Sequence, residues 1–221
     1  MKKYKTIIFD LDGTLLDTSE GIFKAIRYTE KQMGFTPLPD DRLPDFVGPP
    51  SLSSYLSHYP IDRDTALEAV KHHRYYQGHQ GAAEATPYEG IPELLMSLKE
   101  LGCHLGVATL KRQDITELTL KKAGIYDDFE AVCGIDAAES LTKADIIRLV
   151  LKKLDTAPSD AVMIGDSHFD AEGAKEAGVA FIGVSYGFGF KSPQEIRALR
   201  PRFAAAFVDD LFAFFDQEFS E

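Results

Sequence analysis

The chain has 221 residues, 44% of them hydrophobic, with 35 acidic against 24 basic side chains and a formal net charge of −11. That length accommodates one full α/β domain and a smaller accessory domain around a substantial core. The acidic balance excludes a nucleic-acid backbone as partner, because such affinity comes from clustered Lys and Arg. A small anion is still allowed, since it needs only a metal, one lysine and a few backbone N–H groups.

The first element is a buried strand, the short apolar run within Lys5-Thr6-Ile7-Ile8-Phe9, ended abruptly by Asp10. Gly13 then permits a tight loop that returns Asp12 towards Asp10. Two carboxylates so close repel unless a cation or a shared proton offsets their charge, so the pair predicts a metal site or a proton-transfer site. Asp17 followed by Glu20 has the form of a helix start, and Phe23, Ile26 and Met33 keep helical spacing up to Gly34. Prolines at 37, 39 and 44 and the Gly48-Pro49-Pro50 run break regular structure after that helix; short helical patterns then cover Ser51–His58 and Asp64–Gln77. No buried strand is predicted between Thr18 and Thr86, and Gly78–Thr86 reads as a loose exit from an all-helical insertion.

From Pro87 the period changes. Ile91, Leu94, Leu95, Leu98 and Leu101 mark a helix stopped by Gly102, and His104–Thr109 reads as a strand ending in a hydroxyl. A helix over Gln113–Ala123, a strand over Glu130–Cys133, a helix over Lys143–Leu154 and a strand over Ala161–Ile164 come next. The chain closes with a helix over Ala171–Ala177, strands over Val179–Val184 and Ala204–Val208, and a last helix. This alternation predicts an α/β fold: a parallel sheet with helices on both faces plus a small all-helical unit. The core is assigned to residues 1–17 and 87–221 and the helical unit to residues 18–86. In such sheets ligands gather at the carboxyl ends of the strands, where Asp10, Thr109 and Asp166 all fall.

These residues suit phosphoryl transfer. Asp10 can attack phosphorus and form an aspartyl-phosphate, and Asp12 can protonate the leaving oxygen and later activate water. Asp166 and Asp170, in Gly165-Asp166-Ser167-His168-Phe169-Asp170, complete with Asp10 an oxygen-rich cage suited to Mg²⁺. Thr109 can donate its hydroxyl to a phosphate oxygen, and Lys143 can bridge phosphate and Asp10. Taken singly, each has a plainer reading: a polar turn for Asp10 to Thr14, a strand-end hydroxyl bonding its own backbone for Thr109, a solvated helix residue for Lys143. Their order along one chain favours the chemical reading. The His72, His73, His79, Tyr75 and Tyr76 group reads as a packing or solvated helix, since neighbouring histidines do not share a face.

Asp10-Leu11-Asp12-Gly13-Thr14-Leu15-Leu16-Asp17, Val107-Ala108-Thr109, Lys143 and Gly165 to Asp170 resemble the four ordered motifs of the haloacid dehalogenase-like hydrolase superfamily. The helical insertion resembles the C1 cap of its phosphoglycolate phosphatase branch. The resemblance implies a Rossmann-like core, Asp10 as nucleophile, Asp12 as acid and base, and Thr109 and Lys143 as the phosphate-binding pair. It also implies Mg²⁺ held by Asp10, the Asp12 main-chain carbonyl and Asp166, with Asp170 in support. Leu110 and Ala144 stand where relatives often carry a small polar residue and a proline. Gly48-Pro49-Pro50 is expected on the cap side of the pocket, the Tyr186–Gly189 loop at its border, and hinges near Asp17–Gly21 and Ala82–Pro87.

The resulting expectation is a Mg²⁺-dependent phosphatase acting on a small phosphorylated metabolite, phosphoglycolate-like or a nucleoside 5′-monophosphate. The alternatives are a phosphomutase and a signalling module phosphorylated on aspartate. Cys103 and Cys133 lack CxxC spacing, no secretory leader precedes the first strand, and no run approaches the roughly 20 apolar residues of a membrane helix. A cytoplasmic protein, monomeric or homodimeric and without membrane or nucleic-acid partners, is expected.

Overall fold

The computed structural model describes residues 4–138 and 140–220. Its centre is a six-stranded parallel sheet made of β1 (Thr6–Phe9), β4 (His104–Arg112), β5 (Ala131–Ile135), β6 (Ala161–Gly165), β7 (Ala180–Val184) and β8 (Phe203–Ala205). Its order is β5-β4-β1-β6-β7-β8. β1 lies between β4 and β6, with Phe9 level with Val107 on one side and Ile164 on the other. The chain winds outwards from β1 in both directions, so the crevice beyond its carboxyl end is a topological switch point.

Alternation along the strands divides the core into two layers. Ile7 and Phe9 of β1 and Val162 and Ile164 of β6 face one layer, beneath α4 (Ile91–Glu100) and α9 (Val208–Ser220). Ile8 and Met163 face the other, beneath α6 (Lys143–Lys153) and α7 (His168–Ala177). α5 (Gln113–Ala123) flanks β5, and a short helix, α8 (Pro193–Ala198), absent from the predicted pattern, lies beside β7 and β8.

Helices α1 (Ser19–Met33), α2 (Ser51–His58) and α3 (Arg63–His79) enclose a hydrophobic cluster of their own around Ile22, Ile26, Phe46, Tyr55 and Val70. One acid is buried with them. Glu30 accepts hydrogen bonds from the Tyr59 hydroxyl (2.7 Å) and Leu38 N (2.7 Å) and pairs with Arg27 at 2.8 Å, so its charge is satisfied where it stands.

Several boundaries differ from expectation. α1 begins at Ser19, because Asp17 closes a two-residue strand, β2 (Leu16–Asp17), paired antiparallel with β3 (Thr86–Pro87). This ribbon carries both crossings between the sheet and the helical unit. The segment read as a loose exit is ordered instead: α3 runs on to His79 and a 3₁₀ turn covers Gly81–Glu84. β4 passes Thr109 and continues to Arg112 through an irregularity in its pairing with β5. α7 starts at His168, three residues earlier than its apolar pattern, since its first turn is polar. No helix among the described residues is long and apolar enough to cross a membrane.

Gly106, inside β4, is required by packing rather than by backbone angle. A Cβ there would come within 2.5 Å of Val150 Cγ1 on α6. Gly106→Ala is expected to lower stability by about 1–3 kcal/mol through overpacking, read as a lower denaturant midpoint at unchanged slope.

Candidate active site

The polar strand ends meet at the carboxyl edge of the sheet. Asp10 follows β1 and its N–H donates to Ile164 O at 2.9 Å, which locks it beside the end of β6. Asp166 follows β6, and Asp170 lies in the first turn of α7, where its Oδ2 accepts from Ser167 N (3.0 Å) and Ser167 Oγ (2.6 Å). This capping arrangement explains why the helix begins before its apolar face does. The carboxylate oxygens of Asp10, Asp166 and Asp170 converge within 4.8 Å of one another, and all three residues are buried.

Lys143 enters from the first turn of α6, behind the Thr142–Asp145 capping box. Its Nζ lies 2.5 Å from Asp10 Oδ1 and 2.7 Å from Asp170 Oδ1. Two glycines make room for this packing: a Cβ at Gly173 would come within 2.6 Å of Lys143 Cγ, and one at Gly165 would strike the Asp170 carboxyl. Burial disfavours charge on Lys143, but Asp10 and Asp170 outweigh it, and its pKa lies above the usual lysine range.

The loop after β7 closes the other side. Phe188 N and Gly189 N donate to Asp166 Oδ2 at 2.7 and 3.0 Å, and the Tyr186 hydroxyl donates to Thr14 O at 3.0 Å. A side chain at Gly187 would collide with Gly13 O and Asp166, so only glycine fits between these loops.

Three carboxylates against one ammonium leave two negative charges uncompensated away from water. Burial pushes the Asp10 carboxyl up to about 8, offset in part by Lys143 and reinforced by Asp170, Asp166 and Asp12. Burial, then Asp170, likewise raises Asp166 to about 7, against the pull of its two loop N–H groups. Carboxylates held this way suit a hard divalent cation bound through oxygen. Asp170 Oδ1, buried and without a well-aligned hydrogen bond, is one such available oxygen.

Asp12 is turned to a different task. Its carboxylate lies outside the three-acid cluster, accepting from Thr18 Oγ1 at 2.6 Å and from Lys111 Nζ at 2.9 Å (Oδ1) and 3.2 Å (Oδ2). Thr18 stands at the start of α1 without capping it, because its hydroxyl is spent on Asp12. Lys111 escaped the sequence reading, since it lies in the irregular end of β4 where apolar alternation has already lapsed. Thr109 is buried and accepts a hydrogen bond from Lys111 N at 3.2 Å, the backbone bond expected of a strand-end hydroxyl.

The residues converging here occupy the positions of four motifs in order, and residues 7–184 match the haloacid dehalogenase-like hydrolase family. The chain belongs to that family. It is 38% identical over 200 residues to a 5′-nucleotidase of Pseudomonas aeruginosa, covering 90% of each chain. It is 30% identical over 211 residues to the pyrophosphatase PpaX of Bacillus velezensis, 95% of each. The crystal structure of a predicted phosphatase from Clostridium acetobutylicum superposes with a TM-score of 0.89 at 35% identity, over 97% of this chain and 99% of that one.

Between this haloacid dehalogenase-like core and the helical unit lies a small cleft of about 50 Å³, open to solvent. Asp12, Leu110, Lys111 and Arg112 line it from the sheet, and Phe46, Gly48, Pro49, His73 and Gln77 line it from the helices. Gly48 and Pro49 thus stand on the side expected of them, while Pro50 faces a neighbouring groove beside Lys143. Of the histidine group only His73 is buried, with Nδ1 3.2 Å from the Tyr55 hydroxyl.

The raised carboxyls fix the sign of a pH effect. Both have folded pKa values above the ordinary carboxylate range, so without a cation folding is progressively penalised as pH rises from about 4 to about 8. Added Mg²⁺ is expected to raise the thermal midpoint more at pH 8 than at pH 6, and Asp166→Asn to remove most of that difference, as differential scanning fluorimetry would show.

Proposed function

We propose that this enzyme, a phosphoric monoester hydrolase of the haloacid dehalogenase-like family, is a Mg²⁺-dependent phosphatase of small phosphorylated metabolites that works through a phosphorylated Asp10. The observation that carries the reading is the buried Asp10–Lys143 pair at the switch point, with Asp12 two residues away and held by Thr18 and Lys111.

In the first half-reaction an Asp10 oxygen attacks phosphorus while the ester P–O bond breaks, and Asp12 gives its proton to the departing oxygen. In the second, Asp12 takes a proton from water as that water attacks the aspartyl-phosphate; the bond to Asp10 breaks and inorganic phosphate leaves. Lys143 orients Asp10 and stabilises charge on the transferring group, and the Thr109 hydroxyl serves a phosphate oxygen. Asp10, Asp166, Asp170 and the main-chain carbonyl of Asp12 would hold Mg²⁺, which when bound supplies the positive charge that screens the carboxylate from the phosphate.

Residues 18–86 act as a cap over the core formed by 1–17 and 87–221, and the β2–β3 ribbon is the place where the two can move relative to each other. The leaving group sits in the cleft between them. A nucleoside 5′-monophosphate or a phosphoglycolate-like ester is the substrate class, the former in keeping with the Pseudomonas aeruginosa relative's name. Two buried free cysteines suit a cytoplasmic setting.

Asp10→Asn is expected to reduce turnover of phenyl phosphate by about 10³-fold or more, since it removes the nucleophile while keeping its shape. Near-normal activity in that variant would place the attacking group elsewhere. Asp12→Asn should slow alkyl phosphates more than aryl ones, because a poorer leaving group depends more on protonation. Steady-state rates on a leaving-group series read this directly, and equal losses across the series contradict the assigned role. Isomerisation of a sugar phosphate faster than phosphate release would instead favour the phosphomutase.

A further inference from the structure

One buried polar group in the cleft has no counterpart in the chemistry above. Gln77 lies on α3, one turn beyond His73 and on the same face, 5% exposed, and its Nε2 has no hydrogen-bond partner among the described residues. Its amide is wedged in place. A Cβ at Gly81 would sit 3.0 to 3.1 Å from the amide atoms, and one at Gly21 would sit 2.5 Å from Gly81 O, so the turn after α3 and the start of α1 close tightly around it.

A buried N–H donor left unpaired is costly, and proteins normally satisfy it. Here Gln77 is one of the residues that line the cleft, with its Nε2 enclosed just behind the cleft wall. His73, Arg74 and Lys111 line the same cleft, and Asp12, paired with Lys111, is the one acidic side chain among the described lining residues. Burial, then Lys111 and Arg74, drives the His73 pKa down to about 3, so the ring is neutral. Phe46, Ile22 and Ile115 supply apolar walls.

We infer that Gln77 is a specificity-determining residue: its Nε2–H donates to an acceptor oxygen, a carboxylate or a carbonyl, on the leaving group of the phosphate ester. The inference rests on the phosphatase reading above and adds to it the chemistry of the group released. Esters offering such an oxygen satisfy the buried donor, and those presenting an N–H or a methylene in its place leave it unpaired. Sites built around a buried hydrogen bond discriminate against partners that lack it far more strongly than apolar pockets discriminate by size.

The test uses the full chain with added Mg²⁺ and two matched substrate pairs. 2-Phosphoglycolate against 2-hydroxyethyl phosphate isolates a carboxylate, and inosine 5′-monophosphate against adenosine 5′-monophosphate exchanges a ring carbonyl for an amine. In at least one pair the oxygen-bearing member is expected to have a kcat/KM at least about tenfold higher, and that pair names the source of the oxygen. Gln77→Leu should reduce that ratio at least about fivefold and Gln77→Glu, which turns a donor into an acceptor of the same shape, at least as much. Because the readout is a ratio within one preparation, a general loss of active protein cancels, and Gln77→Glu guards against a packing defect in the leucine variant. Ratios near one in both pairs of the wild type, or ratios unchanged in both variants, would overturn the inference. Phenyl phosphate separates the two levels: if the wild type hydrolyses it while both pairs show no discrimination, only the inference about Gln77 falls. If phenyl phosphate is not hydrolysed at all, the phosphatase reading falls and takes the inference with it.

Discussion

Three buried carboxylates facing a single buried ammonium at the end of a parallel sheet are the constraint that the rest of the molecule serves. Like charges can be held this close only if the scaffold prevents them from separating, and each acid is fastened by a different device. Asp10 is bonded through its backbone to β6, Asp166 is gripped by the N–H groups of the loop after β7, and Asp170 is committed to capping its own helix. Lys143 is held against two of them by a helix that can approach only because Gly173 has no side chain. Such a cluster is costly to fold and suited to a divalent cation.

The second organising feature is the way Asp12 links the two parts of the chain. It belongs to the loop after β1, yet its partners come from β4 and from the residue that opens the helical unit. Thr18 lies next to the β2–β3 ribbon, so a rearrangement of the helices relative to the sheet bears directly on that carboxylate. The cleft is built across the same junction, with Gln77 on the helical side and Lys111 on the sheet side. In the proposed mechanism, acid catalysis and recognition of the leaving group would share this one boundary.

Much of this was legible before any coordinates. The alternation of apolar runs with helical spacing predicted the parallel sheet and its helices, because burial on two faces writes a strong local pattern into strands and helices alike. The placement of Asp10 and Asp166 at strand ends came from the same pattern together with the rule for ligand sites in such sheets, whereas Thr109, expected at an end, lies inside β4. The sequence reading was weakest where structure is non-local. The ribbon of Leu16–Asp17 with Thr86–Pro87 joins segments about 70 residues apart and is too short to leave a periodicity. The early start of α7 and the extension of β4 to Arg112 lie in polar segments, where apolar spacing carries no information.

By itself, then, the sequence determined which elements form, in what order they alternate, and which acids and lysine stand at their ends, since these depend on neighbours close along the chain. Only the tertiary structure decided that Lys111 pairs with Asp12, that Thr18 serves that acid rather than its own helix, and that the Gln77 amide is buried at the edge of the cleft with no partner among the described residues. Those facts depend on which distant residues meet across the junction of sheet and helices, and the free energy of such a meeting is set by shape, burial and charge in three dimensions, none of which leaves a mark on local spacing.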